Sequence, residues 1–212
     1  EMPAETRERL DVLRSGMQRS RHLLEQLLAL ARQDAVSPAA GEVTELDRIA
    51  KGVVADLLPE AAARNIDLGF TMVETVAVNG DQLSLISVLR NLVENAVKYG
   101  KPGSGVEPLK ADAREILIEA RREGDQVLLS VTDHGPGIPE SDRKHAVERF
   151  VRLEASRTLP GSGLGLSLAS AVATLHGGEL RLGDAHPGLV ATLVLPARVG
   201  GSDRLAAQTQ DV

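Results

Sequence analysis

Apolar residues recur at alternating three- and four-residue steps near the start of the chain: Leu10, Leu13, Met17, Leu24, Leu27 and Ala31, with Ser20 breaking the seam once. Such spacing lays one stripe along an α-helix. Leu23, Leu28 and Leu30 widen the stripe beyond a two-stranded seam, and Arg7, Glu8, Arg14, Arg21, Glu25 and Arg32 occupy the opposite face. A lone helix cannot hide such a stripe from water. Residues 1–34 are therefore expected to enter a helical bundle, by dimerisation rather than by docking on their own chain.

Residues 35–41, with Ser37, Pro38 and Gly41, read as a linker. From residue 42 the pattern becomes mixed. A helix is predicted over 46–64, with Ile49, Val53, Val54 and Leu57 on one face and Pro59 distorting its last turns. Short strands follow over 66–73 and 76–78. Asp81 is placed to cap a helix from Gln82 to Tyr99 whose apolar positions are Leu85, Val88, Leu89, Leu92 and Val93. Residues 100–113 hold three Gly and two Pro and read as a loop. Strands over 116–120 and 127–132 form a hairpin around Glu123-Gly124-Asp125. Residues 135–165 are polar and irregular, with one helical turn near 143–149. A helix over 164–175 stops at His176-Gly177-Gly178, strands over 179–182 and 189–195 close the domain, and 199–212 form a tail.

Composition narrows the function classes. Of 212 residues 42% are hydrophobic and 25% charged, as in soluble globular proteins. A formal net charge of −6 and a pI near 5.4 argue against a general nucleic-acid or anionic-membrane binder. Cysteine is absent, so thiolate metal sites, disulfides and a cysteine nucleophile are excluded; aromatics are 1%, which leaves little for base stacking. No apolar run approaches the ~20 residues of a membrane-spanning helix, so the chain is expected to be soluble.

Three clusters carry the candidate chemistry. In Asn91-Leu-Val-Glu-Asn-Ala-Val-Lys-Tyr99, the polar residues Asn91, Glu94, Asn95 and Lys98 fall at helical spacing on one face. Amide oxygens suit a hard cation such as Mg²⁺, and a lysine one turn on suits a phosphate. A solvated face with an internal amide network would look the same. In Ser130-Val-Thr-Asp133-His-Gly135-Pro-Gly137-Ile138-Pro139, a strand runs into an aspartate and two spaced glycines. Such a carboxylate can accept a hydrogen bond from an exocyclic amine, and glycine lets backbone approach a flat ring; an ordinary turn is the plainer alternative. In Gly161-Ser162-Gly163-Leu164-Gly165-Leu166, glycines open a helix whose first N–H groups suit an anion. The spacing fits neither a dinucleotide fingerprint nor a Walker A loop.

In this order and at these separations, the three clusters resemble the N, G1 and G2 boxes of the sensor histidine-kinase ATP-binding domain, with Arg149-Phe150-Val-Arg152 resembling its F box. The resemblance covers residues 42–197. Leu23-Leu-Glu-Gln-Leu-Leu-Ala-Leu-Ala-Arg32 also resembles the end of the second helix of that family's dimerisation and phosphotransfer hairpin. The resemblance implies an α+β fold: a two-layer sandwich of the histidine-kinase, gyrase and Hsp90 type, with a mixed sheet and helices on one face, over residues 42–198. It implies ATP and Mg²⁺ as ligands, a response-regulator receiver domain as partner, and a homodimer formed through the helical hairpin of the full protein. Asn95 would coordinate Mg²⁺ beside Asn91, Glu94 would orient water or the attacking group, Lys98 would meet phosphate and Tyr99 would line the pocket. Asp133 would accept the adenine amine, with Gly135, Gly137 and Ile138 shaping the slot. Arg149 and Arg152 would reach the γ-phosphate, while Gly161, Ser162, Gly163, Leu164, Gly165 and Leu166 would form the lid hinge and phosphate cradle. Thr192 is a weaker candidate near adenine.

The family's phosphoacceptor is a histidine followed by an acidic residue, and no such histidine stands here. His22 is followed by leucine, His134 lies in the G1 turn, His145 and His186 are scattered, and His176 closes a helix, where a cation is welcome. The economical expectation is a fragment of a longer inner-membrane sensor, cytoplasmic in this part, with the acceptor helix upstream. Alternatives are an ATPase or protein-serine kinase of the same superfamily without its own acceptor, or a nucleotide-binding pseudokinase scaffold that dimerises through its first helix.

Overall fold

The computed structural model describes residues 43–72, 75–100, 115–153 and 163–198. The expected bundle helix, linker and tail, most of the loop after Gly100, and Gly161 and Ser162 lie outside the described residues. In chain order the elements are β1 (Val43–Glu45), α1 (Leu46–Ala63), β2 (Asp67–Met72), β3 (Ala77–Asn79), α2 (Gln82–Tyr99), β4 (Glu115–Glu123), β5 (Gln126–Thr132), α3 (Glu140–Ala146), α4 (Gly165–Leu175), β6 (Glu179–Asp184) and β7 (Leu189–Pro196).

Alternation along the strands decides which side chains meet the helices. Ile116, Ile118 and Ala120 of β4, Val127, Leu129 and Val131 of β5, and Ala191, Leu193 and Leu195 of β7 enter one core with Ile49, Val53 and Leu57 of α1, Leu85, Leu89 and Leu92 of α2, and Leu168 and Val172 of α4. The five-stranded sheet has the order β2-β4-β5-β7-β6, with β2 and β4 parallel and the other pairs antiparallel. The result is the expected α+β sandwich, a mixed sheet with helices on one face. A two-residue connection closes the β4–β5 hairpin: Glu123 pairs with Gln126, and Gly124 takes a φ of 58°.

Several elements depart from the expectation. β1 has no signal of its own; three residues with only Thr44 buried are too few for a period, and they pair antiparallel with β3 in a separate two-stranded sheet. The helix α1 continues through Pro59 to Ala63, with Pro59 and Ala55 both exposed. The helical turn expected near 143–149 lies earlier, at Glu140–Ala146. Pro139 precedes it, acidic Glu140 and Asp142 occupy its first turn, and Arg143, Lys144 and His145 its last, the charge order its dipole favours.

α2 and α4 set the frame for the site. Asp81 caps α2 as expected, its Oδ2 accepting the Ser84 N–H at 2.9 Å. Burial opposes ionisation of Asp81, but the Ser84 hydroxyl and N–H, the Leu83 N–H and the nearby His176 ring outweigh it and hold the carboxyl below its ordinary value. His176, at the end of α4 as expected, is buried, 7% exposed. Its Nδ1 lies 2.8 Å from the Val172 carbonyl and its Nε2 accepts the Asp81 N–H at 3.2 Å. The end of α4 is thereby tied to the start of α2, and the two helices run in opposite directions.

Candidate nucleotide site

At the other end of this helix pair, the start of α4 meets the second half of α2. A methyl group on Gly165 would stand 3.1 Å from Asn95 Nδ2 and 3.4 Å from Asn91 Oδ1, so glycine here lets both amides sit against the start of α4 without being pushed aside. Asn91 is buried and donates from Nδ2 to the Ser87 carbonyl at 2.8 Å, which fixes its orientation. Glu94, Asn95, Lys98 and Tyr99 are half-buried along the same helix. Lys98 Nζ lies 4.7 Å from the centroid of the Tyr99 ring, a cation–π contact that holds the ammonium at the end of α2.

Asp133 follows β5 directly and is 7% exposed. Its N–H donates to the Leu189 carbonyl at 3.0 Å, and its Oδ1 accepts the N–H groups of Gly135 at 2.8 Å and Leu189 at 3.3 Å. Burial raises its carboxyl above the ordinary value; the two N–H groups and His134 pull the other way without cancelling it. His134 Nδ1 lies 3.0 Å from the Glu115 carbonyl and anchors the turn to the start of β4. A methyl on Gly135 would stand 2.3 Å from the Tyr99 carbonyl, so the Asp133 turn lies directly on the end of α2. Two cluster boundaries far apart in sequence thus touch through glycine.

Phe150, beside Arg149 and Arg152, has a φ of 64° and donates its N–H to the Gly163 carbonyl at 3.1 Å. The ends of the segment between these two residues are therefore joined. Phe150 is 69% exposed; Leu164 is buried, Leu166 packs on the core, and the Ile138 carbonyl accepts from Arg143 Nε at 3.0 Å. Gly137 adopts a φ of 68° beside it. Thr192 is not brought to the site. It pairs with Ser130 and Arg181 and alternates with the core residues Ala191 and Leu193, so it stands on the sheet face away from the helices. Residues that sequence reasoning passed over include Gly100, Gly188 and Leu189, which abut Asp133. The only signal they carried was the glycine in a tight turn.

Among the described residues no helix is long and apolar enough to cross a membrane, and no group of three or more His, Cys, Asp or Glu is arranged to hold a metal ion. A site for Mg²⁺ would rest instead on amide oxygens such as those facing Gly165.

The profile of the histidine kinase-, DNA gyrase B- and HSP90-like ATPase family matches residues 80–199. The signal transduction histidine-protein kinase/phosphatase MprB of Mycobacterium sp. (strain KMS) is 35% identical over 171 residues, 75% of this chain and 32% of that protein. Sensor protein QseC of Salmonella typhi is 33% identical over 182 residues, 84% of this chain and 37% of its own. The solved mycobacterial sensor histidine kinase MprB superposes with a TM-score of 0.61 at 28% identity, covering 74% of this chain and 97% of that one. The chain spans about a third of the length of the curated relatives it matches. It belongs to the histidine kinase-, DNA gyrase B- and HSP90-like ATPase family, and within that family to the ATP-binding catalytic domains of two-component sensor histidine kinases.

Proposed function

We propose that this domain binds ATP and transfers its γ-phosphoryl group to a histidine on the helical hairpin of the full protein, for relay to an aspartate of a response-regulator receiver domain. The observation that carries the reading is the convergence of three separate segments: Gly165 against Asn91 and Asn95, and Gly135 against Tyr99. Asp133 accepts the adenine amine. Gly135, Gly137 and Ile138 wall the ring. Lys98 meets a phosphate, with Arg149 and Arg152 on the lid side. Glu94 orients the attacking imidazole. The Asn95 amide facing the α4 cradle suits a hard cation, and Asn95 with Asn91 would hold Mg²⁺, which when bound neutralises charge on the phosphates. Phosphoryl transfer asks chiefly for positioning and charge neutralisation, and this set supplies both. The full protein is proposed to be an inner-membrane homodimer with this domain in the cytoplasm.

No histidine among the 212 residues is followed by an acidic residue. A transferable phosphoryl group needs an acceptor held in line. The chain alone, incubated with γ-labelled ATP and Mg²⁺, is therefore expected to gain no acid-labile label, whereas adding an acceptor hairpin gives a labelled hairpin. Stoichiometric label on the chain alone that vanishes in His22→Gln would overturn this assignment of roles.

Gly165→Ala tests the convergence itself. The methyl crowds the Asn95 amide at 3.1 Å, and a side chain pushed off its rotamer costs about 0.5–1.5 kcal/mol. Helix propensity favours alanine, so the melting temperature should hold or rise while Mg·ATP affinity falls severalfold in a calorimetric titration. Unchanged affinity would remove the amide cradle from the site.

A further inference from the structure

Arg143 lies outside the clusters that the sequence singled out, yet from a third element it touches both the end of the Asp133 loop and the end of β6. Its Nε donates to the Ile138 carbonyl at 3.0 Å, and a terminal nitrogen lies 3.7 Å from Asp184 Oδ2, with the side chain 22% exposed. Asp184 ends β6 and organises the turn to β7: its Oδ1 accepts the His186 N–H at 2.9 Å, and the Ala185 N–H donates to the Gly188 carbonyl at 3.2 Å. That turn presses on the Asp133 loop. A methyl on Gly188 would fall 1.8 Å from the Asp133 carbonyl, one on Gly137 would fall 2.7 Å from the Gly188 carbonyl, and the Leu189 N–H donates to Asp133 Oδ1. Asp133 is therefore oriented partly by a turn whose other end is held by Arg143.

We propose that Arg143 is a positioning residue for nucleotide recognition, a latch that sets the width of the adenine slot by joining the exit of the Asp133 loop, at Ile138, to the β6–β7 turn, at Asp184. The inference rests on the reading of Asp133 as the adenine acceptor. An exposed ion pair by itself is worth little. This arginine side chain, however, is only 22% exposed although Asp184 is 48% exposed, and its planar fork reaches a carbonyl and a carboxylate at once, which a lysine ammonium cannot do in the same geometry. Because the latch acts through Asp133, it governs base discrimination more than phosphate binding. Adenine presents an amine to the carboxylate, whereas guanine presents a carbonyl oxygen at the corresponding edge.

The test is a calorimetric comparison of ATP and GTP binding to the full 212-residue chain, with melting curves for each variant. Arg143→Leu is expected to lower ATP affinity about tenfold and to leave GTP affinity within about twofold, so that the ATP-to-GTP ratio collapses. Arg143→Lys and Asp184→Asn should each lower ATP affinity about threefold, and Arg143→Leu with Asp184→Asn should fall no further than Arg143→Leu alone, as for two members of one unit. A merely structural role would lower the melting temperature without moving the ratio. Arg143→Leu with wild-type affinity and wild-type ratio overturns the proposal. Should that variant fail to fold, an unchanged ratio in both Arg143→Lys and Asp184→Asn overturns it equally. Asp133→Ala separates the two readings: if it binds ATP as the wild type does, the adenine assignment itself fails, whatever Arg143 does.

Discussion

Asn95→Ala is expected to reduce phosphoryl transfer to a supplied acceptor hairpin on the order of a hundredfold or more, while nucleotide binding weakens far less. The asymmetry follows from when the charge appears. Groups that neutralise the transferring phosphoryl count most in the transition state, so their loss shows in the chemical step. Asn95 is half-buried on α2 and stands 3.1 Å from where a Gly165 methyl would lie, so truncation opens space without cutting the core. Asn95→Asp should be comparably defective, because a carboxylate facing phosphates adds repulsion. Initial rates of label transfer at saturating Mg²⁺, beside calorimetric affinities, separate the two effects. Full transfer by either variant would contradict the role assigned to Asn95.

Asp133→Ala should cost about 1–3 kcal/mol of ATP affinity, since the ring amine and the Gly135 and Leu189 N–H groups all lose their acceptor. Asp133→Asn distinguishes shape from charge. Its amide oxygen can still accept from Gly135 and Leu189, but its net charge is gone. The direction of the Asp133 shift also predicts a pH dependence. With the folded carboxyl above the ordinary 3.8, the native state holds this proton more tightly than the unfolded chain does. Stability from this group is therefore full below 3.8 and is lost as pH rises through the elevated folded value. Urea unfolding of the wild type and Asp133→Asn across that window should show the wild type losing stability relative to the variant. Parallel curves would mean that the buried carboxyl is not titrating as its surroundings dictate.

The features that were legible in the sequence are those with short-range causes. The Asp81 cap reaches an N–H three residues on, the β4–β5 turn closes over two residues, and the stripe of α2 repeats within each turn of helix. Residue type also exposed the three chemical clusters, because amides, a lysine and paired glycines are a costly combination to maintain without a ligand. The failures have long-range causes. Thr192 has the right chemistry for a pocket, but the pairing of β7 with β5 and β6 turns it to the other face, and a shift of one residue in that register would reverse the outcome. His176 was legible as a helix end, yet its burial and its bond to the Asp81 N–H come from a residue 95 positions away in the chain.

Local periodicity, capping and turn chemistry therefore determined most of the helices and strands and the residue types of the three clusters, while β1 and the position of α3 were left to tertiary pairing. Only the tertiary structure decided which of those residues meet. The closing distances at Gly165 and Gly135 depend on how the antiparallel pair α2 and α4 packs on the sheet, and the latch through Arg143 depends on where α3 comes to rest. Contacts of that kind join groups separated by tens of residues, and the free energy that sets them is the burial of a shared core, which no single window of sequence contains.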